Sequence, residues 1–154
     1  MPTETEISYL AALIDGEGFI GIDSSYKRRF KNQTYQVRIG VCNTKRKLLD
    51  WIKLRFGGSV LFRGKPKSPK HSPSYEWRIQ AKKAGEIIRL VYPYLILKRE
   101  QAKIALEFRD TFKESLIYTH QKGRFSNTQI KSTIIKKRKE LREKMLALNK
   151  RGPK

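Results

Sequence analysis

The residues best suited to chemistry lie in a short stretch in which carboxylates alternate with glycines, Asp15-Gly16-Glu17-Gly18. The stretch follows an apolar run over residues 10–14 and precedes an alternating segment that begins at Phe19. Carboxylate oxygens are ligands that Mg²⁺ prefers, and glycines end helices. On its own, such a stretch is usually only a turn, so its meaning depends on the rest of the chain.

The chain carries a large excess of positive charge. Its 154 residues include 35 Lys+Arg and 14 Asp+Glu, which gives a formal net charge of +21. Such an excess implies a polyanionic partner, and nucleic acid is the leading candidate because neutralised phosphates release counterions. A membrane surface would require a basic amphipathic helix or an apolar anchor, and no run of residues approaches transmembrane length.

Cysteine usage and the first residues indicate an intracellular protein. Cys42 is the only cysteine, which excludes an internal disulfide and a zinc site of the usual cysteine-rich kind. Residues 1–6 are acidic and lack the apolar stretch of a secretory signal. We therefore expect a protein of the cytoplasm, the nucleoid or an organelle interior, and not a secreted one.

Hydrophobic periodicity predicts a single α+β domain in the order α-β-β-α-β-β-α, followed by two further helices. The strands are expected to form a four-stranded antiparallel sheet with the helices on one face. We expect a core over about residues 6–115, a basic helical extension over about 116–149 and a disordered tail at 150–154. The predicted helices cover residues 7–14, 45–56, 82–92, 98–114 and 128–149, and the predicted strands cover 19–29, 35–43, 59–64 and 75–80.

Polar side chains alternate with apolar ones along these strands, which leaves the second face of the sheet polar. A two-stranded ribbon fits the major groove, and Lys, Arg, Gln and Asp offer the donors and acceptors that base edges require. We therefore interpret this face as a DNA-binding surface. Its candidate residues are Asp23, Ser25, Lys27, Arg28, Gln36, Arg38, Arg63, Lys65, Glu76, Arg78 and Gln80.

Residues 10–19, LAALIDGEGF, resemble the signature motif of the LAGLIDADG homing endonucleases. The predicted element order is also the core order of that family. Residues 93–101 resemble the family's segment after the last core helix, and residues 41–44 resemble the end of its second strand. The motif occurs once, so the resemblance implies the LAGLIDADG fold of the single-motif type, a homodimer whose sheets form a DNA-binding saddle.

The resemblance implies a site-specific DNA endonuclease that hydrolyses both strands of a long pseudo-palindromic site and leaves 3′ overhangs. Its cofactor would be Mg²⁺, for which Mn²⁺ can substitute. Such enzymes are encoded in introns or inteins, and the chain ends carry no splicing-junction residues, so we expect an intron-encoded protein. Two alternatives remain open, because fold does not decide function: an RNA-binding intron maturase and a non-enzymatic DNA binder such as a repressor.

The same resemblance assigns roles to residues of the site. Glu17 and the backbone carbonyl of Gly16 would ligate the metal, Lys98 would stabilise charge on the scissile phosphate, and Asn43 would orient water. Glu17 stands where the motif's name has Asp, and Ala12 replaces its first glycine.

The first predicted helix offers a surface on which two copies could pair. Small residues at helical spacing permit two helices to approach closely. A two-fold axis there would bring two Glu17 carboxylates together, and a shared divalent cation would offset their repulsion. The predicted interface residues are Ser8, Ala11, Ala12 and Asp15, and the predicted core residues of this helix are Leu10, Leu13 and Ile14.

Overall fold

A computed structural model of the chain describes residues 1–27, 32–64, 72–119 and 132–150. For residues 26–27, 32 and 115–119 only the backbone is described. The predicted α+β element order is confirmed. The helices are α1 (Glu4–Glu17), α2 (Arg46–Phe56), α3 (Ala81–Val91), α4 (Arg99–Thr119) and α5 (Ser132–Asn149), and the strands are β1 (Gly18–Lys27), β2 (Asn32–Asn43), β3 (Ser59–Phe62) and β4 (Tyr75–Gln80).

The four strands form one antiparallel sheet in the order β1-β2-β4-β3. β1 and β2 form a long hairpin in which Gly18 lies opposite Val41, and Val41 in turn lies opposite Trp77 of β4. The predicted alternation is confirmed in the middle of the hairpin, where Ile20, Ile22, Val37 and Ile39 are buried and the residues between them on each strand are half-buried. The core beneath the sheet includes Ile20, Ile22, Val37, Ile39, Val41, Trp77 and Ile79 together with helix residues such as Leu10, Ile52, Ile88 and Phe108.

The predicted limits of α1, residues 7 and 14, are both wrong, because the helix covers Glu4–Glu17. The helix begins at Glu4 because Thr3 and Glu6 form a capping box, in which Glu6 N–H donates to Thr3 Oγ1 and Thr3 N–H donates to Glu6 Oε2. A hydrogen bond from Arg55, and then one from the Thr3 backbone, lower the pKa of Glu6 to about 2. The helix ends at Glu17 and is capped by Gly18, where a Cβ atom would lie 2.6 Å from the Cα of Ile14.

The C-terminal helix α5 packs along β1, the edge strand that carries the end of the motif. Leu141 and Met145 of α5 are buried in the common core. Asn149 Nδ2 donates to the carbonyl oxygen of Ile20 at 2.9 Å and so satisfies a backbone group on the edge strand. The predicted helical residues 128–131 and the tail at 151–154 lie outside the described residues.

An arginine buried between α4 and α5 joins the two helices. Arg138 donates from Nε to Thr111 Oγ1 at 2.9 Å, and its guanidinium lies 3.8 Å from the centre of the Phe112 ring. Burial, and then the nearby charge of Arg109, lower the pKa of Arg138. Among the described residues, no helix is long and apolar enough to cross a membrane.

The junction between β4 and α3 contains a left-handed residue that is not glycine. Ala81 has a φ of 57°, which L-amino acids rarely adopt because Cβ crowds the following carbonyl. Its predecessor Gln80 keeps extended backbone angles, so the chain turns from strand to helix at Ala81 alone.

We expect Ala81→Gly to raise the free energy of unfolding by about 0.5–1 kcal/mol, because the relief of left-handed strain exceeds the backbone entropy that glycine loses on folding. Urea unfolding followed by circular dichroism measures the change. The matched control is Glu86→Gly at an exposed position within α3, which should lose about 1 kcal/mol. Equal destabilisation by both substitutions would contradict the idea that position 81 is strained.

Candidate active site and nucleic-acid interface

The acidic residue Glu17 lies at the C-terminal end of α1 and is exposed. Its Oε2 accepts a hydrogen bond from Nδ2 of Asn43, the last residue of β2. The Asn43 side chain is oriented in turn because its Oδ1 accepts from the backbone N–H of Lys45 at 2.8 Å. The negative end of the helix dipole lies at the same point, which favours a cation beside the Glu17 carboxylate.

A second set of hydrogen bonds joins the end of α1 to the segment before α4. The carboxylate of Asp15 accepts from the backbone N–H groups of Ile96, Leu97 and Lys98 at 2.7, 3.2 and 2.9 Å. In return, the ammonium group of Lys98 donates to the carbonyl oxygen of Asp15 at 2.5 Å. Asp15 thus fixes the backbone before Lys98 and receives its side chain.

The structure therefore brings the three predicted catalytic residues, Glu17, Asn43 and Lys98, to the C-terminal end of one helix. Glu17 contacts Asn43 directly, and Lys98 binds the carbonyl two residues before Glu17. The spacing in sequence could not have shown this, because β2 and the start of α4 are distant along the chain. The catalytic roles of these residues, and the metal-binding role of Gly16, remain predictions.

The face of the sheet away from the helices, here called the polar sheet face, extends from this site. In the register of the strands, Gly21 lies opposite Arg38 and Arg38 lies opposite Gln80. The predicted contact residues Asp23, Ser25, Gln36, Arg38, Arg78 and Gln80 lie on this face and are half-buried or exposed. Of the other candidates, Lys27 is described only by its backbone, and Arg28 and Lys65 lie outside the described residues.

Several solved homing endonucleases are similar to the chain. I-CvuI in complex with its target in the presence of Ca is 20% identical at a TM-score of 0.74, over 98% of this chain and 85% of that chain. The archaeal intron-encoded I-Vdi141I complexed with DNA is 15% identical at a TM-score of 0.70, over 98% and 88%. The LAGLIDADG homing endonuclease I-GzeII with its DNA target is 16% identical at a TM-score of 0.66, over 90% of this chain but 44% of that chain.

The chain has the LAGLIDADG homing-endonuclease fold. The predicted fold is thereby confirmed, and the nearly complete mutual coverage with I-CvuI fits the single-motif type. No protein-family model and no curated protein sequence matches the chain.

The motif helix of this LAGLIDADG fold buries a different stripe from the predicted one. Ala11 is fully buried with Leu10 and Ile14, so it cannot contact a partner chain, and its prediction as an interface residue is corrected. Asp15 is half-buried, and its carboxylate accepts hydrogen bonds from the chain's own backbone, while its place at an interface stays a prediction. Alanine occurs on both the buried and the exposed sides of helices, so the sequence alone could not show which alanine of α1 is buried. Of the other interface candidates, Ala12 is exposed and Ser8 is half-buried. The predicted core residue Leu13 is only half-buried.

The prediction that Glu76 offers its carboxylate to a base edge is also corrected. Glu76 is only 6% exposed, and Nε of Arg63 lies 3.4 Å from its Oε2. Arg63 also donates to the sulfur of Cys42 at 3.3 Å, and Cys42 lies directly across from Glu76 in the sheet. The hydrogen bond to Cys42, and then the charge of Glu76, raise the pKa of Arg63. Glu76 therefore positions Arg63, which is exposed just beyond the end of β3.

One residue of the polar sheet face was missed by the sequence analysis. Phe19 faces the polar side, opposite Gly40, and its ring lies 4.7 Å from the guanidinium carbon of Arg38. An aromatic residue in a strand is usually assigned to the core. The available signal was the alternation itself, which puts Phe19 and the buried Ile20 on opposite faces.

We expect Asp15→Ala to lower the free energy of unfolding by about 1–3 kcal/mol, because three N–H groups lose a charged acceptor. Urea unfolding followed by circular dichroism measures the loss. The control is Asp110→Ala on α4, where the exposed carboxylate pairs with Lys113 three residues away. That variant should stay within about 0.5 kcal/mol of the parent protein. A similar small change for Asp15→Ala would mean that packing alone holds the two elements together.

Proposed function

We propose that the protein is a homodimeric, Mg²⁺-dependent, site-specific DNA endonuclease. The observation that carries this proposal is the meeting of Glu17, Asn43 and Lys98 at one end of α1, beside a polar sheet face. The net charge of +21 supplies the attraction to phosphates. The similar chains of I-CvuI and I-Vdi141I were solved bound to DNA, which supports the same substrate class here.

The donor atoms at the end of α1 fit a hard divalent cation in type, but one chain supplies too few of them. The carboxylate of Glu17 is exposed, and the last carbonyls of a helix lack partners within the helix. Among the described residues, no three His, Cys, Asp or Glu side chains lie close enough together to hold a metal. Because Mg²⁺ is usually bound by one or two carboxylates with phosphate and water oxygens, a second Glu17 and the DNA would complete the set.

In this site the chain's own residues would bind the cation, orient the Glu17 carboxylate and stabilise charge on the phosphate. Asn43 donates to Glu17 and so fixes the direction in which the carboxylate points. The ammonium of Lys98 lies at the Asp15 carbonyl, close enough to the Glu17 end to offer positive charge to a scissile phosphate as negative charge develops. A bound divalent cation supplies the remaining chemistry, an acidified water and a stabilised leaving oxygen.

The need for a second copy rests on the exposed surface next to α1. The outer side of the helix presents Ala12 and Gly16, which leave room for a second helix. Beside it, Ile96 is 83% and Leu97 is 73% exposed, although Asp15 holds their backbone in place. Apolar side chains held rigidly in water favour a partner that covers them. A two-fold axis through this surface would bring two Glu17 residues together.

We expect Glu17→Gln to bind DNA in Ca²⁺ as the parent protein does and to lose about 100-fold or more of its cleavage rate with Mg²⁺, because the metal ligand is weakened. The substrate is a duplex selected by binding from a random pool, incubated with Mg²⁺ or with EDTA. Glu86→Gln on α3 is the control and should cut normally. Comparable cutting by Glu17→Gln would remove Glu17 from the site. RNA binding without DNA cleavage by the parent protein would instead support the maturase alternative.

We expect Leu97→Asp to convert a dimer into a monomer, because the substitution places two like charges at the two-fold contact. Sedimentation equilibrium gives the mass, and the same samples are tested for double-strand cuts, which the monomer should no longer make. Leu148→Asp changes another exposed leucine, on α5, and should remain dimeric. A parent protein that stays monomeric on its DNA would exclude the paired arrangement.

A further inference from the structure

The side chain of Arg38 is held from two sides on the polar sheet face. Nε of Arg38 lies 3.2 Å from Oδ2 of Asp23, and the guanidinium carbon lies 4.7 Å from the centre of the Phe19 ring. Both neighbours come from β1, whereas Arg38 comes from β2. These two neighbours restrict the guanidinium on two sides, and the side chain is still 31% exposed.

Two glycines shape the space around this arginine. A Cβ atom at Gly40 would lie 2.5 Å from the Phe19 ring and 2.5 Å from the Trp77 carbonyl, so the ring occupies the place of a side chain at position 40. Gly21 lies directly opposite Arg38, and a Cβ atom there would meet nothing within 4 Å. The ring is thus packed beneath Arg38, while an open space lies beside it.

We propose that Arg38 binds a guanine in the major groove of each half of the DNA target, and that Phe19 and Asp23 are positioning residues for it. The inference rests on the proposed function and adds the base that is recognised. The Asp23 carboxylate lies on the Nε side of the guanidinium, near Nε but not hydrogen-bonded to it, so the two terminal nitrogens can face the O6 and N7 acceptors of guanine. This two-bond contact is the commonest specific contact between arginine and DNA.

A base suits Arg38 better than a phosphate does, for two reasons. Arg38 lies on β2, which is flanked by β1 and β4, and Gln80 lies opposite it, so the guanidinium is inside the sheet and not at its edge. The carboxylate of Asp23 adjoins the same guanidinium and repels a phosphate, but it does not repel an uncharged base edge.

The test is selection of sequences from a random duplex pool by binding in Ca²⁺. The parent protein should recover guanine at one position in each half-site. Arg38→Ala should lose the guanine preference and keep the preferences at the other positions. It should bind the parent's selected duplex about 10- to 100-fold more weakly. Arg38→Gln should recover adenine at the same position, because glutamine pairs with adenine N6 and N7. Arg38→Lys keeps the charge without the planar fork, so it should weaken the guanine preference, and it serves as a second variant if Arg38→Ala folds poorly.

The positioning role of Phe19 is tested by separate substitutions. Phe19→Leu should weaken the guanine preference and leave the preferences at the other positions unchanged. Phe19→Tyr keeps the ring and should retain the guanine preference. Arg89→Ala, an exposed arginine on α3, is the control and should recover the parent's sequences.

The outcomes separate the inference from the proposed function. A parent protein that selects no sequence refutes both. A parent protein that selects a sequence which Arg38→Ala also selects overturns only the inference. Uniformly weaker binding by Arg38→Ala with an unchanged profile and a smaller salt dependence would assign Arg38 to a phosphate and also overturn it.

Discussion

The arrangement of the site depends on one interaction at the end of α1, in which the carboxylate of Asp15 accepts from three consecutive backbone N–H groups. These groups belong to residues 96–98, more than 80 positions away along the chain. A carboxylate that accepts several N–H bonds is well compensated for its lost hydration. The return bond from Lys98 to the Asp15 carbonyl closes the contact. The end of α1 and the start of α4 therefore behave as one rigid piece, to which Glu17 and Lys98 both belong.

Close backbone contact at two glycines extends this rigid piece into the sheet. At Gly18 a Cβ atom would lie 2.7 Å from the carbonyl oxygen of Gly40, so only glycine lets the end of α1 approach β2 this closely. The same approach brings Glu17 within hydrogen-bonding distance of Asn43. Gly40 then leaves room for Phe19. The glycine that ends the motif helix and the glycine that admits the ring are thus neighbours across the hairpin.

The sequence was sufficient for the elements and for the faces of the strands, because burial with a period of two is visible in the order of residues. It was insufficient where a contact with a distant part of the chain determines whether a residue is buried or exposed. Ala11 and Ala12 are chemically alike, yet one is buried and the other exposed. Asp15 resembles a surface carboxylate until the backbone before Lys98 meets it. Glu76 alternates like a surface residue but is covered by Arg63, which follows another strand.

Carboxylates on the surface that we propose for DNA binding need a physical reason, and the two acids that the structure describes on the polar sheet face have the same one. Asp23 adjoins Arg38, and Glu76 adjoins Arg63, in each case across strands. Each acid weakens the local attraction for phosphate and holds an arginine in a fixed direction. The sequence-independent attraction can then come from exposed lysines elsewhere, such as Lys136 and Lys139 on α5. Under the proposed function, net charge would provide affinity for any nucleic acid, whereas paired charges on the sheet would provide discrimination among bases, so the two roles would fall to different parts of the fold.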